Sequence, residues 1–244
     1  MTKYSGNFGK LAAKYDALRP SYPKNVISII FASIKSRTPV ILDLGCGTGI
    51  STRQLTKSKA SVIGCDIDKS MLKIARFSPK LNIKYVQGYA EKLPFENNKF
   101  DSVTTFIAFH WFMNKKAIRQ IKRVLKPNGI LCIVQPRFMP FQKDYRMVLE
   151  KELRHKIPKR YKQSKEILPF LKQSGFRVKR HVIKSNVKYT LNEYIELLKS
   201  YSLWNFVPMG RRKEIESLLK SHFQSKLVNG YIRNIKDIEV IVAK

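Results

Sequence analysis

Acid is scarce in this 244-residue chain: 17 Asp and Glu stand against 48 Lys and Arg, a formal charge of +31. Long apolar runs are absent too, since none approaches the roughly 18 residues needed to cross a bilayer. The opening MTKYSGNFGK has neither the apolar stretch of a secretory leader nor the Arg and Ser of an organelle leader. These absences argue against a membrane span and for the cytoplasm. Cysteine is limited to Cys46, Cys65 and Cys132, none in a spacing that holds zinc or runs dithiol chemistry. Each sits in or just after an aliphatic run, which reads as a small buried thiol of a reduced compartment. The histidines carry no metal spacing, so no metal site is expected. No repeat of roughly 20 to 50 residues signals a solenoid, and nothing specifies an oligomeric state.

The basic excess is spread rather than concentrated in a tail. Residues 1–140 hold 24 basic and 7 acidic residues, and residues 141–244 hold 24 and 10. Three readings of this coat stay open: a lysine-rich compositional bias, weak non-specific contact with nucleic acid through counterion release, and attraction of an acidic small substrate.

What is present is a rhythm. After an N-terminal helical segment over 1–37, broken by Pro20 and Pro23, short aliphatic strands alternate with helices. VILDL, SVIGCD, IKYVQG, FDSVTTFIAF and ILCIVQP read as strands, while GISTRQLTK, KSMLKIARF and KKAIRQIKRVL read as helices between them. Strands without polar alternation imply a parallel sheet covered on both faces, a doubly wound α/β fold. Residues 137–163 are basic, aromatic and proline-dotted and read as a cap insertion, with a second insertion over about 185–231. The closing IEVIVAK is expected as a last strand, at an edge or inserted antiparallel.

The densest signal is ILDLGCGTGIS, Ile41 to Ser51, with three glycines in five positions between the first strand and the first helix. Glycine there permits a sharp turn or a close approach, and exposed amides at the helix start favour an anionic group. Asp66 ends the second strand, about where an acid grips ribose hydroxyls in nucleotide-binding sheets. The GxGxG spacing, unlike GxGxxG, points away from a nicotinamide dinucleotide.

ILDLGCGTGIS, VIGCDIDKSML, YVQGYAEKLPFENNKFDSV, HWF and IKRVLKPNGILCIVQP, taken in order over about residues 38–136, resemble the successive motifs of class I S-adenosylmethionine-dependent methyltransferases of the small-molecule type. AAKYDALRPSYP, HWF and the segment ending LKSYS are further similar to the trans-aconitate methyltransferase-like branch. The resemblance implies a Rossmann-like, mostly parallel seven-stranded sheet with an antiparallel last strand and helical caps, within a methyltransferase domain over 38–244. It implies S-adenosylmethionine as cofactor and a small-molecule methyl acceptor, a carboxylate in the narrower branch. Asp43 and the Gly45, Cys46, Gly47, Gly49 loop would hold the methionine end, helped by Arg19. Asp66 would take the ribose hydroxyls, Ile67 would lie on the adenine face, Ala90 and Glu91 at its edge, and Thr105 and Phe106 along the methionyl arm. Tyr89 stands where the family usually has Asp. His110, Tyr15 and Tyr22 are the candidates for a catalytic base or positioning group, each equally readable as a packed side chain, while Trp111 and Phe112 would wall the pocket. The chain lacks the Asn or Asp followed by Pro-Pro-aromatic after the fourth strand that marks methylation of base amines. An RNA methyltransferase and a non-catalytic S-adenosylmethionine-binding protein remain the alternatives.

Overall fold

The computed structural model describes residues 21–56, 59–77, 83–138, 140–157 and 164–244. Its seven strands are β1 (Val40–Leu44), β2 (Ser61–Asp66), β3 (Ile83–Gln87), β4 (Phe100–Phe106), β5 (Leu125–Phe138), β6 (Val178–Tyr189) and β7 (Ile232–Ala243). They form one sheet in the order β3-β2-β1-β4-β5-β7-β6. The first five are mutually parallel, and β7 runs antiparallel to both β5 and β6. The last strand is therefore inserted antiparallel between its neighbours, and β6 takes the edge.

Eight helices accompany the sheet among the described residues: α1 (Lys24–Ser33), α2 (Ile50–Leu55), α3 (Lys69–Arg76), α4 (Lys115–Val124), α5 (Pro140–Leu153), α6 (Ser164–Gln173), α7 (Leu191–Lys199) and α8 (Arg212–Gln224). Of the aliphatic runs read as strands, β1, β4 and β5 are buried on both faces, whereas the edge strand β3 is half-buried at most. Leu42, Val103, Leu131 and Ile133 face a core shared with α4 and α6, while Ile41, Val62, Cys132 and Val134 face one shared with α1. In α4 the spacing of Ala117, Ile118, Ile121 and Val124 puts all four into the first core; each aliphatic side chain removed from water stabilises by roughly 1.5 to 3 kcal/mol. Asn114 starts that helix by accepting from the Ala117 amide at 2.9 Å.

Several boundaries differ from expectation: β5 begins at Leu125 rather than Ile130, and β7 at Ile232 rather than Ile238. The strand expected to run to Phe109 stops at Phe106, because Ile107 adopts φ 54°, a left-handed conformation that a β-branched residue rarely takes. β6 continues to Tyr189, past the expected insertion boundary at 185, because it stays paired with β7 along its whole length.

That pairing positions the cap. The β5–β7 ladder ends at Phe138 and Asp237, whereas β7 begins at Ile232, so residues 232–236 and their partners 185–189 stand beyond the carboxyl edge of β5. At about 3.4 Å per residue this is a projection of roughly 15 Å. Helix α5 packs on β7, α7 on β6, and α8 on both α5 and α7, around a separate core that includes Tyr145, Tyr194, Leu198, Trp204, Leu219 and Phe223. A capping box, in which Thr190 and Glu193 exchange bonds with each other's backbone, starts α7 at the far tip of the projection. Tyr145, Leu149 and Ile157, which follow β5, pack into this core.

Candidate active site

The glycine loop shows why three side chains are missing. Gly45, Gly47 and Gly49 all have positive φ, at 73°, 55° and 83°. A Cβ on Gly45 would lie 2.5 Å from the Ala108 Cβ, and one on Gly49 would lie 2.4 Å from the Tyr85 hydroxyl. Those two are closed from behind by protein. Gly47 has nothing within 4 Å of such a Cβ, so its side of the loop is open to a ligand.

Asp43, the acid before the loop, is fully buried. Ser51 and Thr52 each donate to its Oδ2 at 2.7 Å, and Thr104 donates to its Oδ1 at 3.2 Å. Burial pushes its pKa up to about 6, against the pull of Thr52, Ser51 and Thr104. These internal bonds take up the carboxylate, so any hold on a methionine end runs through the loop it braces. None of the three hydroxyls was singled out from the sequence; the only signal was Ser and Thr in the first turn of α2 and the Thr pair in β4.

Asp66 closes β2 beside the loop. Gly47 donates its amide to Oδ2 at 2.8 Å and Asp68 donates its own to Oδ1 at 2.9 Å. Burial raises its pKa, and the amides of Asp68 and Gly47 act against that rise. The Cys65 carbonyl accepts from the Gly45 and Cys46 amides at 2.7 and 3.2 Å, tying the end of β2 to the loop. Cys46 and Cys65 are buried thiols whose pKa values burial raises, that of Cys65 to about 12. They are packing groups, as is Cys132.

Next to Asp66, Ile67 and Tyr89 are 48% and 47% exposed, two large apolar side chains at the place expected for adenine. Ala90 is buried behind them. Glu91 accepts from the Asn114 side-chain amide at 2.8 Å, which fastens the 88–91 turn to the start of α4.

At the end of β4, Thr105 is buried and its hydroxyl has no hydrogen-bond partner. The Phe106 ring meets Tyr22 at 4.7 Å between centroids. Tyr22 is fixed there by a paired exchange: its amide donates to Gln54 Oε1 and its carbonyl accepts from Gln54 Nε2, both at 2.8 Å. Ile107 then turns the chain, its amide donating to the Val134 carbonyl at 2.8 Å. His110 follows in a short 3-10 turn, its ring 4.8 Å from that of Trp111. Burial lowers the His110 pKa to about 4. Trp111 is exposed, but Phe112 is buried behind Gly45 and against Phe109; Phe112 is a core side chain rather than a pocket wall. Tyr15 and Arg19 lie outside the described residues. Asp66, Thr105 and Phe106 thus stand at the carboxyl ends of β2 and β4, Ile67, Ala90 and His110 follow in the turns beyond β2, β3 and β4, and Tyr22 packs on Phe106. Among the described residues no cluster of three metal-ligating side chains exists, and no helix is long and apolar enough to cross a membrane.

This open, partly apolar cradle with one ionisable acid suits an adenosyl group carrying a charged amino-acid tail. Residues 42–133 match the family model described as a methyltransferase domain. An uncharacterized methyltransferase of Schizosaccharomyces pombe is 28% identical over 213 residues, 85% of this chain and 83% of that protein. A ubiquinone/menaquinone biosynthesis C-methyltransferase of Photorhabdus laumondii is 37% identical over 157 residues, 57% of this chain and 62% of its own length. Among solved structures, phosphoethanolamine N-methyltransferase 2 of Haemonchus contortus, in complex with S-adenosyl-L-methionine, aligns with a TM-score of 0.57 at 19% identity, over 99% of this chain and 57% of that one.

Proposed function

From the premise that the chain belongs to the class I S-adenosylmethionine-dependent methyltransferases, we propose that it transfers a methyl group to a small-molecule acceptor held between the carboxyl edge of the sheet and the cap. The observation that carries this reading is the roof itself, a packed aromatic core on the β6–β7 projection above the end of β5. A roof standing beside the sheet edge suits a small molecule better than a folded RNA.

When bound, the cofactor supplies an electrophilic methyl group on a sulfonium, whose departure needs no acid. Asp66 would accept from the ribose hydroxyls, with charge-assisted bonds worth about 1.5 to 3 kcal/mol each. Ile67 and Tyr89 would cover the adenine, and the open Cα side of Gly47 would border the methionyl arm, with the Thr105 hydroxyl free to turn toward it. The chain's remaining task is to orient the acceptor, and proximity alone can supply about 7 to 11 kcal/mol. With a pKa near 4, His110 is neutral at pH 7 and a weak proton acceptor, which suits it to positioning more than to general-base work. Tyr22 would wall the acceptor side of Phe106. The carboxylate acceptor implied by the trans-aconitate-like motifs calls for a facing cation; Arg19, the candidate, lies outside the described residues.

Incubation with methyl-labelled cofactor and either a metabolite extract or RNA tests this reading. Label is expected in the low-molecular-weight fraction. Label in RNA would favour the second reading, which the +31 charge supports, and cofactor binding with no label in either fraction would leave a non-catalytic binder. Replacing Asp66 with Ala should weaken S-adenosylhomocysteine binding at least about 100-fold by calorimetry, the loss expected for two charge-assisted bonds; unchanged affinity would remove Asp66 from the site.

A further inference from the structure

Tyr145 and Asn234 are out of place in an apolar core. Tyr145, on α5, is fully buried and belongs to the aromatic cluster of the cap. Asn234, on the projecting part of β7, is 1% exposed; its cross-strand partner Val187 and its same-face neighbour Ile232 both pack into that cluster. Neither the Tyr145 hydroxyl nor either end of the Asn234 amide has a hydrogen-bond partner. A polar group buried and left unsatisfied works against folding. Both lie past the last β5–β7 pair, Phe138 and Asp237, on the side of the sheet edge where the acceptor would sit.

The surroundings restrict what could satisfy them. Among the described residues, the buried polar side chains of 140–236 other than tyrosines are Ser185, Ser200 and Asn234, none of them charged. Three cations of the cap are held by acids: Lys199 by Glu196 and Glu216, Arg146 by Glu150, and Lys226 by Asp144. An anionic ligand would find no buried counter-charge among these groups. A neutral one would find an amide able to donate and accept, and a phenol able to do either. The same core holds the rings of Tyr194 and Phe223, edge to face with centroids 5.0 Å apart, an aromatic setting that suits a flat partner.

Resting on the small-molecule reading above, we propose that Tyr145 and Asn234 are the polar recognition point of the acceptor site, and that the acceptor is an uncharged ring compound bearing hydroxyl or carbonyl oxygens. The pair is then kept at a cost to stability for the sake of a ligand.

The test uses the full chain saturated with S-adenosylhomocysteine, with hydroquinone as the neutral probe and benzoate as the charged one. Asn234→Leu and Tyr145→Phe each remove the polar atoms at nearly constant volume. Both variants are expected to keep S-adenosylhomocysteine affinity within about twofold and to melt at or above the wild-type temperature, by up to about 2 to 4 °C for each kcal/mol recovered. Hydroquinone is expected to bind the wild type and to lose at least about tenfold on either variant, the size of one hydrogen bond. A lower Tm in both variants would show that the two groups serve the fold and would sink the proposal. Binding of benzoate but not hydroquinone, or of neither at millimolar concentration, would overturn the acceptor class. Failure of the wild type to bind S-adenosylhomocysteine would instead strike the methyltransferase reading, and the melting comparison would still decide the role of the pair.

Discussion

In the cofactor half, Asp43 is enclosed by three hydroxyl donors, and Asp66 by two main-chain amides. In the cap, Tyr145 and Asn234 are as deeply buried and have no such donors or acceptors. A cofactor common to many enzymes can be met by a backbone shaped once and locked by satisfied bonds. A particular acceptor has to be met by side chains that leave some of their bonding capacity unused until it arrives. If that contrast is right, substitutions in the two halves should fail in different ways, the first by breaking the scaffold and the second by changing recognition.

The largest effect should come from Gly45. An Ala there adopts φ 73°, at about 1 to 2 kcal/mol, and drives its Cβ to 2.5 Å from that of Ala108, at about 1 to 3 kcal/mol more. Gly45→Ala is therefore expected to lose about 3 kcal/mol or more in urea unfolding. Gly47→Ala has the open side to itself and should lose only about 1 to 2 kcal/mol of stability, while weakening S-adenosylhomocysteine by calorimetry more than its fold. Equal losses of stability at the two positions would mean that Gly47 faces protein and not a ligand.

The same contrast governs what could be read before the structure. β1, β2 and β3 were legible because continuous aliphatic runs such as VILDL and SVIGCD have few other ways to be buried, and the loop was legible because positive φ and close packing leave Gly few substitutes. The hydroxyls around Asp43 were not, since Thr104 lies 61 residues away and nothing local announces the meeting. Ile107 ran against its own sequence signal, a β-branched residue read as the middle of a strand and found turning out of it. The insertion of β7 between β5 and β6 is a long-range choice, made legible only as an alternative to an edge. In the cap, composition marked insertions but not the partnerless Asn234, because an Asn in a strand-like segment reads as an exposed residue.

Between the two halves stands His110, and pH sharpens its position. Its pKa near 4 in the folded chain lies below the ordinary 6.5, so between those values the unfolded chain binds a proton that the folded chain refuses. Stability must then fall as pH drops from about 6.5 toward 4, by about 2 to 3 kcal/mol in all. Asp43, raised to about 6 from 3.8, acts in the opposite sense over an overlapping range, so the wild-type profile alone does not isolate either group. Comparing His110→Gln with wild type does. Unfolding free energies at pH 7 and pH 4.5 should converge in favour of the variant at the lower pH, and parallel curves would mean that the ring is solvated and no part of a closed wall.

The smallest effect should come from the ion pairs of the cap, which satisfy their charges on the surface while its core leaves polar atoms unmet. Lys199 reaches Glu196 at 2.5 Å and Glu216 at 2.8 Å. Burial acts to lower its pKa and the two carboxylates more than offset that, leaving it raised. The ammonium is nonetheless partly exposed and its partners more so, where screening holds such pairs to about 0 to 1 kcal/mol. Lys199→Met should therefore shift unfolding by less than about 1 kcal/mol, less still at high salt, and leave hydroquinone binding where it was, because Met keeps the stem that packs against the helix. A loss of ligand affinity in that variant would bring a cation into the acceptor site, and the acceptor would then have to carry the negative charge that Tyr145 and Asn234 give no reason to expect.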